Sequence, residues 1–233
     1  MQTKGVAAVE RALDILAAFD NQIEPLTISE IARRANLYKS TALRLVASLK
    51  RYGYITQLDD GRYHLGATLL RLGTMYQKAN KLQDRIVPVM RRLVEAGSES
   101  PSFFVRQVPN SRLCMFRLDS LHSTVDRVAT GLLLPLDKGA AGAVFRAFSG
   151  ANGDALQRVR DAGYAVSFGE TDSECAAVAA PVLDHSDDVV GVLSISGPRH
   201  RFTEDAIALQ TELALKGAQE MSRAFGARHP QDV

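Results

Sequence analysis

At 233 residues, 46% hydrophobic and 23% charged, the chain has room for two modest globular domains. No apolar run approaches the roughly 20 residues needed to span a bilayer, and the opening MQTKGVAAVERALD lacks a signal-peptide core, so a cytoplasmic protein is expected. The formal net charge of +2 is spread unevenly: residues 1–79 carry 11 Lys/Arg against 7 Asp/Glu, and the remainder 17 against 19. A basic N-terminal third joined to a mildly acidic remainder suits a nucleic-acid module fused to a second domain, and so small an excess calls for two copies acting together.

Residues 6–20, VAAVERALDILAAFD, place Val6, Val9, Ala12, Leu13, Leu16 and Ala17 on a helical stripe with Ile15 and Phe19 beside it. That is more apolar surface than one helix of a small three-helix core needs. It predicts pairing with a second copy, as DNA-reading modules commonly do to span two half-sites; the plainer reading is a first core helix. After a loop at 21–25, Thr27 and Glu30 form a Thr-x-x-Glu capping box that starts a helix carrying Ile28, Ile31 and Ala32 inward. Ala35-Asn36-Leu37 breaks the pattern. Asn36 tolerates the left-handed backbone of a tight turn, and Leu37 plugs the angle between two helices.

The next helix, from about Lys39 to Tyr52, has two unlike faces. Ala42, Leu45, Val46 and Leu49 make its apolar stripe. Thr41, Arg44, Ser48 and Arg51 lie opposite, behind Lys39 and Ser40 at the helix start. Hydroxyls and arginine on the N-terminal half suit a helix in a DNA major groove, where the dipole end meets phosphate and Arg44 reaches a base edge; a solvated face is the alternative. The β-prone runs 54–58 and 62–65, joined by Asp59-Asp60-Gly61, then form a hairpin. Helix-turn-helix followed by hairpin is a winged helix, with Arg62 at the wing tip against DNA backbone or minor groove.

Residues 66–79 are helical in pattern and connect to a further helix over 84–96, with Pro88 in its first turn and Gly97 closing it. The period then falls to 2. Residues 103–108 and 112–118 flank Pro109-Asn110-Ser111 as a hairpin, 123–128 predicts a third strand, and 131–135 a loop. Helices follow over 138–148 and 155–162, a second hairpin pairs 175–183 with 189–196, and Thr203 caps a long last helix. Helices flanking a mostly antiparallel sheet describe an α+β domain. In the second hairpin Ser194 and Ser196 share a strand face with Val190 and Val192, while Leu193 and Ile195 take the other. Two hydroxyls facing the N-terminus of a Gly139-Ala140-Ala141 helix give donors and a favourable dipole for a carboxylate.

VERALDIL, LTISEIARRANLYKSTALRLVASLKRYGYI, DGRYHLG, LPLDKGAAGAVFRAF, VRDAGYAVSFGE, AAVAAPVLD and VGVLSISGP, in this order over nearly the whole chain, resemble the IclR family (isocitrate lyase regulators) of bacterial one-component transcription factors. The resemblance implies an α+β protein: a winged helix-turn-helix DNA-binding domain at 1–66, a linker helix at 67–80 and a GAF-like effector domain at 81–233. It also implies homodimers, which in the family often pair into tetramers, operator DNA as partner, and control by a small organic or aromatic acid. The polar face of the second helix and the wing tip assign the DNA contacts to Lys39, Ser40, Thr41, Arg44, Ser48 and Arg62. By match to the family pattern, the effector pocket draws on Gly139, Ala140, Ala141, Glu170, Thr171, Val178, Ala179, Ser194 and Ser196. The chain departs from the pattern at Asp137, usually histidine, where an acid repels an anionic ligand unless Lys138 or Arg127 offsets it. It departs again at Glu174, usually glycine, and between Leu118 and Gly131.

An enzyme acting on a small carboxylate, with the winged helix used for protein contacts, is the rival reading. Against it, there is no Gly-x-Ser-x-Gly elbow, His-Glu-x-x-His or P-loop, and Gly139–Gly142 lacks the dinucleotide fingerprint. The histidines are scattered, and Cys114 and Cys175 have neither zinc spacing nor a secreted disulfide framework, so neither metal nor cofactor is expected.

Overall fold

A computed structural model describes residues 5–107 and 110–227. The chain divides into two compact units, one ending at Lys81 and one beginning at Leu82.

The first unit comprises α1 (Ala7–Ala17), α2 (Ile28–Arg34), α3 (Lys39–Arg51), β1 (Ile55–Gln57), β2 (Tyr63–Leu65) and α4 (Ala67–Asn80). Thr27 Oγ1 accepts from the Glu30 N–H at 3.3 Å while the Thr27 N–H donates to the Glu30 carboxylate at 2.8 Å, closing the capping box. Asn36, at φ 52°, turns the chain out of α2. Ile15, Phe19, Ile31, Ala42, Val46 and Ile55 meet in one core, with Leu37, Leu45 and Leu49 packed against it. β1 and β2 pair antiparallel, Ile55 opposite Leu65, and Leu26 bridges to Tyr63, tying the approach to α2 onto the wing. Val6 at the N-cap of α1 and Val9 and Leu13 on it stay more than half exposed, as does Leu70 of α4.

The second unit runs α5 (Leu82–Glu95), β3 (Ser100–Gln107), β4 (Ser111–Arg117), β5 (Leu133–Pro135), α6 (Gly139–Phe148), α7 (Asp154–Ala162), β6 (Ala165–Phe168), β7 (Cys175–Leu183), β8 (Val189–Pro198) and α8 (Glu204–Ala224). The strands form one antiparallel sheet in the order β5-β4-β3-β8-β7-β6. The period-2 alternation sorts it into two layers. Phe103, Leu193 and Ile195 pack with Ile86, Met90 and Leu93 of α5 and Ala214 and Met221 of α8. Phe104, Cys114, Ala179 and Val192 pack with Ala140, Ala141, Val144 and Phe145 of α6. The architecture is α+β, with an N-terminal winged helix-turn-helix and a mostly antiparallel C-terminal sheet.

Several local expectations are corrected. Pro88 is the seventh residue of α5, beyond the first turn; it lies on the exposed side, where water can take the carbonyl its ring leaves unanswered. Residues 123–128 are irregular: the Arg201 guanidinium donates to the Thr124 carbonyl at 2.8 Å, and Asp126 accepts from the Val128 N–H at 3.2 Å, so local polar bonds replace a strand ladder. Leu133–Pro135 is a strand rather than a loop, pairing with β4. β6 was not expected and pairs with β7. A bulge sets Leu183 opposite Val189 and leaves Val190 to pack with the α5/α8 layer, away from the serine face. The turn expected through Val108 and Pro109 lies outside the described residues. No helix among the described residues is long and apolar enough to cross a membrane.

Candidate nucleic-acid interface and ligand cavity

On α3 the buried stripe and the polar face separate as the helical period requires. Ala42 and Val46 are buried, whereas Lys39, Ser40, Arg44 and Ser48 are exposed and Thr41 half-exposed. Arg44 makes no ion pair among the described residues, so its guanidinium is available to another molecule. Two of the expected contacts are already engaged within the chain. The Ser48 hydroxyl donates to the Arg44 carbonyl at 3.4 Å. Arg62 pairs with Asp60 at 2.7 Å; the Arg62 backbone N–H and then its side chain hold the Asp60 carboxyl below the usual carboxylate range. Tyr38, at the N-cap of α3 and 87% exposed, stands on the same end of the helix and was not singled out from sequence, because an isolated tyrosine before a helix has no motif of its own.

In the second unit a cavity of ≈ 200 Å³ lies between the sheet and the start of α6. Phe104, Val128, Leu132 and Leu134 give it an apolar wall. Of the residues expected there, Gly139, Ala140, Ala141, Glu170, Thr171, Ser194 and Ser196 border it. Val178 does not: strand parity turns it into the α5/α8 layer, where it is fully buried. Ala179 is buried in the α6-side core without lining the cavity, and Ala177 and Cys175 stand at the surface instead.

The N-terminus of α6 differs from the expectation of free amides. The Gly139 N–H donates to the Glu170 carboxylate at 2.7 Å, and the Ala140 N–H to Ser167 Oγ at 2.9 Å. The chain thus supplies its own anion to the helix dipole. Gly139 sits at φ 75°, and a Cβ there would come within 2.9 Å of Thr171 Oγ1 and 3.2 Å of Arg112 Nη2, so the close approach requires glycine.

Two arginines of β4 were missed. Arg112 is 3% exposed; its Nη1 donates to the Pro135 and Lys138 carbonyls, and its guanidinium lies 5.4 Å from the Phe104 ring centroid. Burial pushes its pKa down to about 10, partly opposed by the Asp137 and Glu170 charges, so it stays protonated at neutral pH. Arg117 contacts Asp126 at 2.5 Å, both side chains almost fully buried, and donates to Asp119 and the Ser102 and Ser196 hydroxyls. The only sequence signal for Arg112 is its parity with Cys114 in an alternating strand, which places a cation on an inward face.

The exposed Asp137 leaves the cavity wall to others, while Arg127 borders it. The Glu174 N–H donates to Asp172 and its carbonyl accepts from the Arg199 N–H, pinning the loop before β7. Burial pushes the Cys175 thiol up to about 11, so it is not a thiolate at neutral pH. Among the described residues no group of three or more His, Cys, Asp or Glu could hold a metal ion.

Family models match two stretches of the chain, the IclR helix-turn-helix domain at residues 8–59 and the bacterial transcriptional regulator IclR C-terminal domain at residues 151–223. The glycerol operon regulatory protein of Streptomyces coelicolor is 29% identical, over 96% of this chain and 98% of that protein. A crystal structure of an IclR-type regulator from Alicyclobacillus acidocaldarius superposes with a TM-score of 0.82 at 23% identity, covering 96% of this chain and all of that one. An IclR homologue from Microbacterium hydrocarbonoxydans, solved in complex with 4-hydroxybenzoate, gives a TM-score of 0.75 at 24% identity, covering 94% of this chain and all of that one.

Proposed function

The chain belongs to the IclR family of bacterial transcriptional regulators, and from that membership we propose that a small organic acid, bound in the cavity of the second unit, modulates its hold on operator DNA. The observation that carries the DNA side is the bare face of α3, where Lys39, Ser40, Thr41 and Arg44 stand together at the helix's N-terminal end. In this reading Arg44 meets a base edge, Lys39 and Ser40 meet phosphate, and Arg62 reaches backbone by exchanging its exposed Asp60 partner for a phosphate oxygen. Ser48, farther along and bonded to its own helix, serves at the margin.

The effector side rests on the cavity: an apolar wall, a few convergent polar groups and a volume suited to a small ligand rather than a nucleotide. The relative that holds 4-hydroxybenzoate supports an acid of that kind. In wild-type protein a bound acid should raise the melting midpoint, by an amount equivalent to about 2.7 kcal/mol at a concentration of 100 Kd. Ala177→Phe, which fills the cavity from β7, should remove that shift; a shift that survives would place the ligand elsewhere. An enzyme has less support, since no histidine among the described residues borders the cavity and Cys175 is held as a thiol.

The exposed apolar residues of α1 fit pairing with a second copy. Leu13→Glu should convert dimers to monomers in sedimentation and weaken DNA binding with them. A variant that sediments as the wild type would move the pairing surface off α1.

A further inference from the structure

We propose that Arg112 is the residue that recognises the ligand's carboxylate, so that the acid sits with its charged end against β4 rather than at the N-terminus of α6. This deepens, and rests on, the reading of the cavity as a binding site for a small acid.

Arginine is almost never fully buried unless its charge is answered. Two other arginines of this unit obey that rule: Arg117 meets Asp126, and Arg201 meets the buried Glu99 in a two-bond fork at 2.5 and 2.8 Å. Arg112 is more buried than Arg201 and makes no ion pair among the described residues. Its Nη1 is occupied by two backbone carbonyls, while its buried Nε has no hydrogen-bond partner among the described residues. Asp137 and Glu170 are near enough to favour its charge, but neither closes on it, and the Glu170 carboxylate is held by the Gly139 amide.

Those same bonds decide where an incoming anion goes. The first two amides of α6 are already taken by Glu170 and Ser167, so the helix end offers an added carboxylate a like charge. Arg112 offers a planar fork with an unanswered donor, and a carboxylate is the group whose geometry matches it. The Phe104 ring under the guanidinium and the nearby Leu132 and Leu134 then take the apolar body of the ligand. The class implied is a small monocarboxylic acid with a flat or compact apolar body.

The test uses the full chain and two probes of one shape, benzoate and benzamide, read by thermal shift and titration calorimetry. Wild-type protein should bind benzoate roughly tenfold or more tightly than benzamide, as a charge-assisted fork requires. Arg112→Met should bind the two alike. Arg112→Lys can still donate to the Pro135 and Lys138 carbonyls and guards against loss of folding in the methionine variant; it should keep the preference for the acid with weaker affinity. A benzoate preference that persists in Arg112→Met, benzoate affinity unchanged in Arg112→Lys, or no benzoate binding by wild type overturns the assignment. Equal binding of both probes by wild type, lost in Ala177→Phe, also overturns it but leaves the cavity reading standing. Binding that survives Ala177→Phe removes the cavity reading itself.

Discussion

Arg117→Met should destabilise the second unit by about 3–5 kcal/mol, the largest loss expected from any single substitution near the cavity. The Arg117 and Asp126 side chains are 5% and 3% exposed and meet at 2.5 Å. The pair itself need not be strongly stabilising, since taking both charges out of water offsets most of their attraction. Removing one partner is another matter, because it leaves the buried Asp126 carboxylate without its cation and also releases the Ser102 and Ser196 hydroxyls. The double variant Arg117→Met/Asp126→Asn should therefore recover much of the loss. Denaturant midpoints of the three proteins check this: a single variant within about 1 kcal/mol of wild type would mean that Asp126 finds water once Arg117 is gone. Asp126 borders the cavity, so the same pair fixes one wall of the ligand site.

Arg44→Ala should weaken binding to a preferred duplex by about 1–3 kcal/mol, the range of a bidentate contact to a base edge. The helix keeps its place without that side chain, because Ala42, Val46 and Leu49 hold it on the core from the opposite face. Lys39→Ala makes the informative contrast. A phosphate contact should weaken all sequences alike and flatten the salt dependence by about one unit of slope. If the two variants behave identically, bases are not being read at position 44.

What could be read from the sequence was mostly local. The Thr27–Glu30 box, the left-handed Asn36 and the two faces of α3 each depend on residues within one or two turns of one another, and all stand where the pattern put them. The short strand Leu133–Pro135 and β6 were lost because three or four residues at a sheet edge carry too little alternation; their pairing with β4 and β7 defines them. Parity carried Ser194 and Ser196 to the cavity but, applied to β7, should also have turned Val178 away from it. The buried charges were the least legible. Arg112 and Arg117 look like ordinary strand arginines until the Pro135 and Lys138 carbonyls close on the one and Asp126 and Ser196 on the other.

The most direct test of the account is the set of sequences that the full-length protein selects from a random duplex library, compared with the set selected by Arg44→Ala. The wild type should enrich a two-fold symmetric motif, and the variant should lose preference at one base position in each half while keeping the spacing of the halves. An identical motif from both proteins would contradict the account, since the exposed face of α3 would then not be what reads the DNA.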